Sequence, residues 1–405
     1  MQHRIIVLGA GYTGATAAGR LAKRLHRDDV TITLVNAEPD FVERVRMHQV
    51  AVGQDLKPRP YREMFAGTGV ELKEALVTSI DVDRHTVSVT EVNGSGVPET
   101  GTEELEYDTL IYALGSAWNS QGVPGTEEHA HQIASRPGAL RLRSRLARLS
   151  AGDSVVVVGG GLTGIESATE IAEARPDLDV ALASRGELGD WLSEKGRRHL
   201  RKVFDRLGIT AHEHTSVAEV AADHVTAADG TSIPAAVTLW TTGFAVHPIA
   251  AASGLEVTDT GQIVVDEAMR SVSHPDVYAI GDAALAMGAG GKPLRMSCAS
   301  GVPTSWQAAD TVAARLTGGK LPDAPLRYFN QCISLGRKEG LIQYVTADDR
   351  AVRAALTGRM AALYKELVCK GAAWGVANPT FGMPVRRRRA TVAGARDQAP
   401  ASTSA

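Results

Sequence analysis

The chain has 405 residues, of which 44% are hydrophobic and 22% charged, with a formal charge of −3. That length suffices for two or three domains with a sizeable core, and the near-balanced charge excludes a nucleic-acid binder held by bulk electrostatics. No apolar run is long enough for a membrane-spanning helix, and the three cysteines, Cys298, Cys332 and Cys369, are too far apart in sequence for a C-x-x-C motif, so a cytoplasmic protein with reduced thiols and no metal site is expected.

The N-terminal residues enter an apolar strand at once, which leaves no room for a signal peptide. Ile5 to Leu8 run into Gly9-Ala10-Gly11-Tyr12-Thr13-Gly14, an alanine-rich helical stretch and a second strand over Val30 to Val35. The pattern returns at Val155 to Val158, Gly159-Gly160-Gly161-Leu162-Thr163-Gly164, a helical stretch and Val180 to Ala183. Each copy has the order strand, tight glycine turn, helix, strand, which is the βαβ unit of a parallel sheet. In such a unit the first glycine permits the turn and the second lets backbone approach a pyrophosphate. The third lets helix pack on strand, and the helix N-terminus faces the phosphates. The repeat therefore predicts two dinucleotide sites.

Between the copies, Ala75 to Val92 alternate as paired strands, with Asn93-Gly94 as a turn signal, and Tyr107 to Tyr112 form a short strand ending at Ala113-Leu114-Gly115-Ser116. After the second copy, strands are expected near Thr238–Trp240, Ile263–Val265 and Val277–Ile280, then a helix from about Pro303 to Leu316. Strands follow near Tyr328–Leu335 and Leu341–Val345. A long helix from about Arg350 to Trp374 is predicted from Val352, Leu356, Met360, Leu363 and Leu367 at helical spacing. From Val385 onward, composition predicts a disordered tail.

Both ribose positions lack the usual acid. The first copy ends Leu34-Val35-Asn36, where Asn36 can bond a ribose hydroxyl without charge assistance, and Glu38 is close enough to compensate. The second ends Ala183-Ser184-Arg185, a small hydroxyl followed by a guanidinium, which favours a 2′-phosphate and hence NADPH over NADH. The alternative there is a solvated arginine at a strand end.

Two further segments, Tyr107 to Ser116 and Asp276-Val277-Tyr278-Ala279-Ile280-Gly281-Asp282-Ala283, each end in glycine at a strand tip. With them the chain resembles, over most of residues 1–320, the two-dinucleotide-binding flavoprotein superfamily of glutathione-reductase-like enzymes, ferredoxin reductases and type II NADH dehydrogenases. The resemblance implies an α/β fold with two Rossmann-like domains, the second inserted in the first, plus a C-terminal α+β region. It implies FAD binding over residues 1–117 and 245–320, NADPH or NADH binding over 118–244, a C-terminal domain over 321–384 and a tail over 385–405. Asp282 would hold the FAD ribityl chain, Ala113 and Gly115 would mark the crossover, and Trp240-Thr241-Thr242-Gly243 the return. Arg46 and Val77 are further candidate FAD neighbours, alongside Gly9, Gly11, Tyr12, Thr13, Gly14, Asn36 and Gly281. Gly159, Gly161, Leu162, Thr163, Gly164, Ser184, Arg185 and Gly243 are candidates for the nicotinamide nucleotide.

The missing cysteine pair excludes the disulfide-reductase branch. Asp40-Phe41 with Arg46-Met47-His48-Gln49, and Ser334 to Gly340 with Thr357-Gly358-Arg359, resemble type II NADH:quinone oxidoreductases and the ferroptosis-suppressor branch of the apoptosis-inducing-factor family. That likeness implies a quinone-like acceptor. It places Glu166 near nicotinamide and flavin, Gln307 at the border of a quinone site, and Lys365 as a functional lysine. For each a structural role is the alternative: a dipole-favoured first-turn Glu, a solvated Gln, a shifted alignment. Cys298 and His48 read as structural. A ferredoxin reductase of a monooxygenase system and a redox-sensing binding protein remain open as other functions. The C-terminal helix with Arg386 to Arg389 is open to two readings, peripheral membrane contact or packing on the protein body. A homodimer through the segment after about residue 320 is expected only by analogy.

Overall fold

The computed structural model describes residues 2–92, 101–323, 325–383 and 385–391. The first unit starts with β1 (His3–Leu8), α1 (Tyr12–Arg24) and β2 (Val30–Asn36), followed by the short helices α2 (Met47–Ala51) and α3 (Tyr61–Met64). Strands β3 (Val70–Asp81), β4 (Thr86–Glu91), β5 (Glu103–Glu106) and β6 (Thr109–Tyr112) complete this part. β1 lies between β2 and β6, parallel to both. With helices on the sheet and neighbours on either side, Ile5 to Leu8 are all buried, which is why the strand is continuously apolar instead of alternating. The expected pairing within 75–92 is the β3–β4 hairpin. Its turn is closed by Asp81 Oδ1, which accepts the Arg84 amide at 2.9 Å; the Asn93-Gly94 signal lies outside the described residues.

β7 (Ser116–Trp118) then carries the chain into a second unit made of α4 (Thr126–His129), β8 (Ala130–His131), α5 (Arg136–Leu146), β9 (Ser154–Val158), α6 (Leu162–Ala174), β10 (Asp179–Ala183), α7 (Glu194–Leu207) and β11 (Thr210–His212). An antiparallel sheet of β12 (Val217–Val220), β13 (His224–Ala227) and β14 (Ser232–Pro234) precedes β15 (Val237–Trp240). The parallel sheet here has the order β11-β10-β9-β15-β8. β16 (Phe244–Val246) returns antiparallel beside β7, so the outgoing and incoming crossovers form one ribbon.

Past α8 (Ile249–Ala252) and β17 (Ile263–Val264), β18 (Val277–Ala279) joins β6 and completes the first sheet in the order β18-β6-β1-β2-β3-β4-β5. The fold is thus α/β with two Rossmann-like units, the second inserted in the first. After β19 (Ala284–Leu285), α9 (Cys298–Thr317) starts five residues before Pro303, the residue expected to open it. A proline in this early part of a helix removes one backbone bond, and the hydroxyls of Thr304 and Ser305 bond back to Gly301 and Val302 carbonyls around it.

The C-terminal region departs most from expectation. β20 (Asn330–Ser334), β21 (Gly340–Val345) and β22 (Ala351–Thr357) form an antiparallel sheet, and only then does α10 (Arg359–Ala377) begin. The predicted helix from Arg350 is therefore wrong in its first two turns, because Gly358 takes φ +81° and turns the chain out of a strand. Val352 and Leu356 belong to β22. Met360, Leu363 and Leu367 face outward, while Ala361, Cys369, Ala373 and Val376 pack inward. Small residues line the inner face because α10 lies directly on β21: a Cβ on Gly340 would come within 2.6 Å of the Ala362 nitrogen. The end of α10 packs into the core of the first unit, whereas β20, β21 and α2 pack on the second, so this region bridges both.

The disordered tail is also corrected for residues 385–391. Arg387 Nε donates to Ala22 O at 3.0 Å, the Arg388 backbone pairs with Arg24 and His26, and Arg389 bridges to Asp28 and Asp29. The Thr391 amide donates to Leu316 O at 2.8 Å. The segment straps the C-terminal ends of α1 and α9.

Candidate functional site

The two glycine turns have the same stereochemistry. A Cβ on Gly9 would lie 2.4 Å from Ala113 O, and one on Gly14 would lie 1.8 Å from Gly9 O, so both positions exclude any side chain. In the second turn, Gly159 would meet Thr241 Oγ1 at 2.5 Å and Gly164 would meet Gly159 O at 1.8 Å. By contrast, nothing lies within 4 Å of a Cβ built on Gly11 or Gly161. These middle glycines open onto free space at the N-termini of α1 and α6, where no side chain caps the helix. Unsatisfied amides facing an open approach make an anion site, and each turn presents one, beginning with Tyr12-Thr13 and Leu162-Thr163 respectively. A two-nucleotide fit is therefore built into the chain.

Around the first turn, a shallow recess is lined by Ala10, Asn36, Glu38, Tyr61 and Lys73 among others. Asn36, expected at the ribose, is largely occupied: its Oδ1 accepts the Ala10 amide at 2.9 Å and its Nδ2 donates to Glu38 O at 2.8 Å. It holds the turn, and the Glu38 carboxylate has no partner among the described residues. Gly281, at φ +69°, lies against Thr13 of α1, and its amide donates to Thr304 of α9. Next to it, Asp282 Oδ2 accepts Ser116 Oγ at 2.6 Å, with Arg44 at 4.0 Å. The Gly281-Asp282 turn, the Gly115-Ser116 crossover and the start of α1 thus converge. Val77 sits in the core with its backbone paired to Val89.

In the second unit, Ser184 lies so close to the turn that a Cβ on Gly160 would approach its Oγ to 2.3 Å. Arg185 is exposed, with no ion-pair partner among the described residues. Gly243, at φ +71°, lies against Gln121, and Thr241 Oγ1 donates to Val158 O, closing the loop over the first glycine of that turn.

Glu166 and Lys365, 199 positions apart, meet. Lys365 Nζ of α10, half-buried, lies 2.9 Å from Oε1 of the buried Glu166 of α6 and also donates to Cys332 O at 3.0 Å. The same Glu166 oxygen accepts the Ser334 amide at 3.0 Å and its hydroxyl at 3.2 Å, and that hydroxyl touches His48 Nε2 at 3.3 Å. Burial pushes the Glu166 carboxyl up, but Lys365, His48 and the Ser334 amide outweigh it and hold it below the ordinary range. Burial pulls Lys365 down, yet Glu166 more than restores it. Burial pushes His48 down to about 4, so its ring is neutral. Cys298, the first residue of α9, is solvent-accessible, and its thiol lies near enough to feel the charges of Lys365, Glu166 and Asp282.

Two expected site residues are elsewhere. Gln307 donates to Glu267 O at 3.2 Å on the surface and takes no part in the cluster; its place on α9 turns it outward. Arg46 is 5% exposed, with its guanidinium bound to Glu43, Gln49 and, in bidentate fashion, Glu366. It anchors α10 instead of facing a cofactor. Sequence reasoning gives no role to Ser334 or to Gln54, which donates to Glu170 at 2.6 Å, and reads His48 as structural, although Ser334 and His48 lie in segments that carry the family likeness.

A family profile described as pyridine nucleotide-disulphide oxidoreductase matches residues 3–313. Demethylphylloquinone reductase NdbB of Synechocystis is 25% identical over 379 residues, covering 89% of this chain and 92% of that protein. The type II NADH:quinone oxidoreductase of Staphylococcus epidermidis is 25% identical over 377 residues, covering 84% and 89%. Among solved structures, the sulfide:quinone oxidoreductase of Aquifex aeolicus superposes with a TM-score of 0.76 at 19% identity, covering 94% of this chain and 93% of that one.

Proposed function

Because the chain belongs to the pyridine nucleotide-disulphide oxidoreductase family, we propose that it is an FAD-dependent NAD(P)H:quinone oxidoreductase. The observation that carries the reading is the buried Glu166–Lys365 pair placed where the two dinucleotide units and the C-terminal region meet. The chain's three cysteines are free, one exposed, one half-buried and one buried. The curated relatives' names support a quinone as acceptor.

In this reading residues 1–117 and 245–320 hold FAD, and 118–244 hold the nicotinamide nucleotide. Gly11 and the first amides of α1 take the FAD pyrophosphate, Glu38 the ribose, and Asp282 the ribityl chain. Gly161 and α6 take the second pyrophosphate, and Arg185 pairs with the 2′-phosphate of NADPH. Bound FAD supplies two-electron chemistry between nicotinamide and acceptor. Lys365, kept charged by Glu166, donates a proton to the acceptor oxygen as electrons arrive.

Among the described residues no helix is long and apolar enough to cross a membrane. Met360, Leu363, Leu367, Val368 and Trp374 are nevertheless 41–64% exposed on one side of α10. Such a face, flanked by exposed Arg359 and Lys370, suits the surface of an anionic bilayer, where long-chain quinones dissolve.

The decisive assay compares steady-state NAD(P)H oxidation with menadione, a ubiquinone analogue and a ferredoxin. Faster turnover with a quinone than with oxygen or ferredoxin is expected. Failure of every quinone to outpace oxygen refutes the reading.

A further inference from the structure

Glu170 follows Glu166 by one turn of α6, and Glu173 follows Glu170 by three residues, so three carboxylates run along one face of the helix. Glu166 is the inner end. Glu173 is the outer end: its side chain is 22% exposed, accepts the Arg337 amide at 2.6 Å and lies 4.0 Å from Lys338. Glu170, between them, is 2% exposed. Its Oε1 accepts Gln54 Nε2 at 2.6 Å, while Oε2 is buried without a partner among the described residues. A bare buried carboxylate oxygen is costly, whereas the acid form carries no charge to desolvate. Burial accordingly pushes Glu170 up to about 7; Arg337 from the β20–β21 turn opposes this, Glu173 and Glu166 on its own helix add to it, and Gln54 opposes it.

Quinone reduction creates a demand that such a group meets. NAD(P)H gives a hydride, which carries two electrons and one proton, so forming a quinol takes one further proton from solvent. The side chains of Lys365 and Glu166 are only 15% and 10% exposed, so the pair needs a route by which that proton arrives.

We propose that Glu170 relays protons from the Glu173 rim to the buried Glu166–Lys365 pair. The proposal rests on the quinone reading of the same site. In each cycle Lys365 gives its proton to the acceptor oxygen, Glu170 passes its own inward to refill the pair, and Glu170 regains one from solvent beside Glu173. One solvent proton is consumed per quinol, and no electron passes through the relay.

The test uses the FAD-loaded protein and its Glu170→Gln and Glu170→Asp variants. An infrared pH titration should show a protonated-carboxyl band in the native protein that vanishes as pH rises through about 7 and is missing in Glu170→Gln. In anaerobic stopped-flow, flavin reduction by NAD(P)H consumes no proton and should be unchanged in Glu170→Gln. Reoxidation by menadione should slow at least about tenfold and gain a larger solvent deuterium effect, with part of the rate restored by Glu170→Asp. A purely structural role would not split the two half-reactions. Absence of the band from the native protein, or menadione reoxidation in Glu170→Gln at the native rate, overturns the relay alone. Failure of native protein to pass electrons to menadione overturns the quinone reading and the relay with it.

Discussion

Replacing Lys365 with methionine removes the ammonium but keeps the length of the side chain, and it leaves Glu166 buried with only the Ser334 amide and hydroxyl as donors. Breaking a buried pair from one side costs about 3–5 kcal/mol, and Cys332 O loses its donor as well, about 1 kcal/mol more. The two Ser334 bonds persist, so a net loss of about 4 kcal/mol is expected at pH near 8. The sign of its pH dependence follows from the carboxyl. In the native protein Glu166 is held low, so its contribution is fully present at neutral pH and is lost only as pH falls through that lowered value. Without Lys365, burial raises the carboxyl, and the penalty for ionising it fades as pH drops, by about 1.4 kcal/mol per unit. The deficit of Lys365→Met should therefore be larger at about pH 8 than at about pH 6. Equilibrium urea unfolding of both single variants and of Glu166→Gln/Lys365→Met measures it, and the double variant should recover more than half of the single loss. A loss below about 1 kcal/mol, or a double variant no more stable than Lys365→Met, would show that the contact does not matter energetically and refute the reasoning.

Glu170→Gln is expected to flatten part of the stability profile. Burial holds Glu170 at about 7 against an ordinary 4.5, so ionising it weakens the native fold as pH rises between those values. The variant should gain about 2–3 kcal/mol on native protein between pH 5 and pH 8 in urea midpoints. Gly11→Ala meets no neighbouring atom and should fold normally yet be purified with little FAD, as absorbance will show. Gly14→Ala, which would strike the Gly9 carbonyl, should fail to accumulate as folded protein. Arg185→Ala should raise KM for NADPH about tenfold and leave that for NADH unchanged; equal loss for both would remove the 2′-phosphate assignment. Leu363→Asp/Leu367→Asp should abolish flotation with anionic liposomes while keeping menadione turnover. Native protein that ignores liposomes but sediments as a dimer would assign that face to a second copy.

The repeated glycine turns are readable because their chemistry is local: three glycines, a strand before and a helix after suffice to define each site, and a side chain would clash at the first and third positions of each. The strand before Asp282 is readable in the same way, but the role of Asp282 itself comes from family likeness. The Glu166–Lys365 pair is not derivable from spacing, since nothing local joins residues on α6 and α10; only family likeness nominates both. Ser334, Gln54 and Glu170 escape for the same reason, since their significance comes from burial and from partners on other elements. Asn36 and Arg46 show the converse error, in which a polar residue near a nucleotide fold is engaged by the protein itself. The misplaced start of α10 comes from Val352 and Leu356 happening to match helical spacing, with Gly358 the only local signal of the break.

The strap formed by residues 385–391 also bears on how the protein is made. Its contacts with α1 and with Asp29 in the turn before β2 join residues about 360 positions apart, and β18 reaches β6 only after the whole second unit has been inserted. On the ribosome, the first strand–turn–helix emerges long before either partner exists. The second unit, whose sheet is assembled entirely from residues 130–240, is complete while the first still waits. Six of the seven strands of the first sheet are made before the second unit, but β18 and the strap come after it, so the first unit should close only once the second has folded.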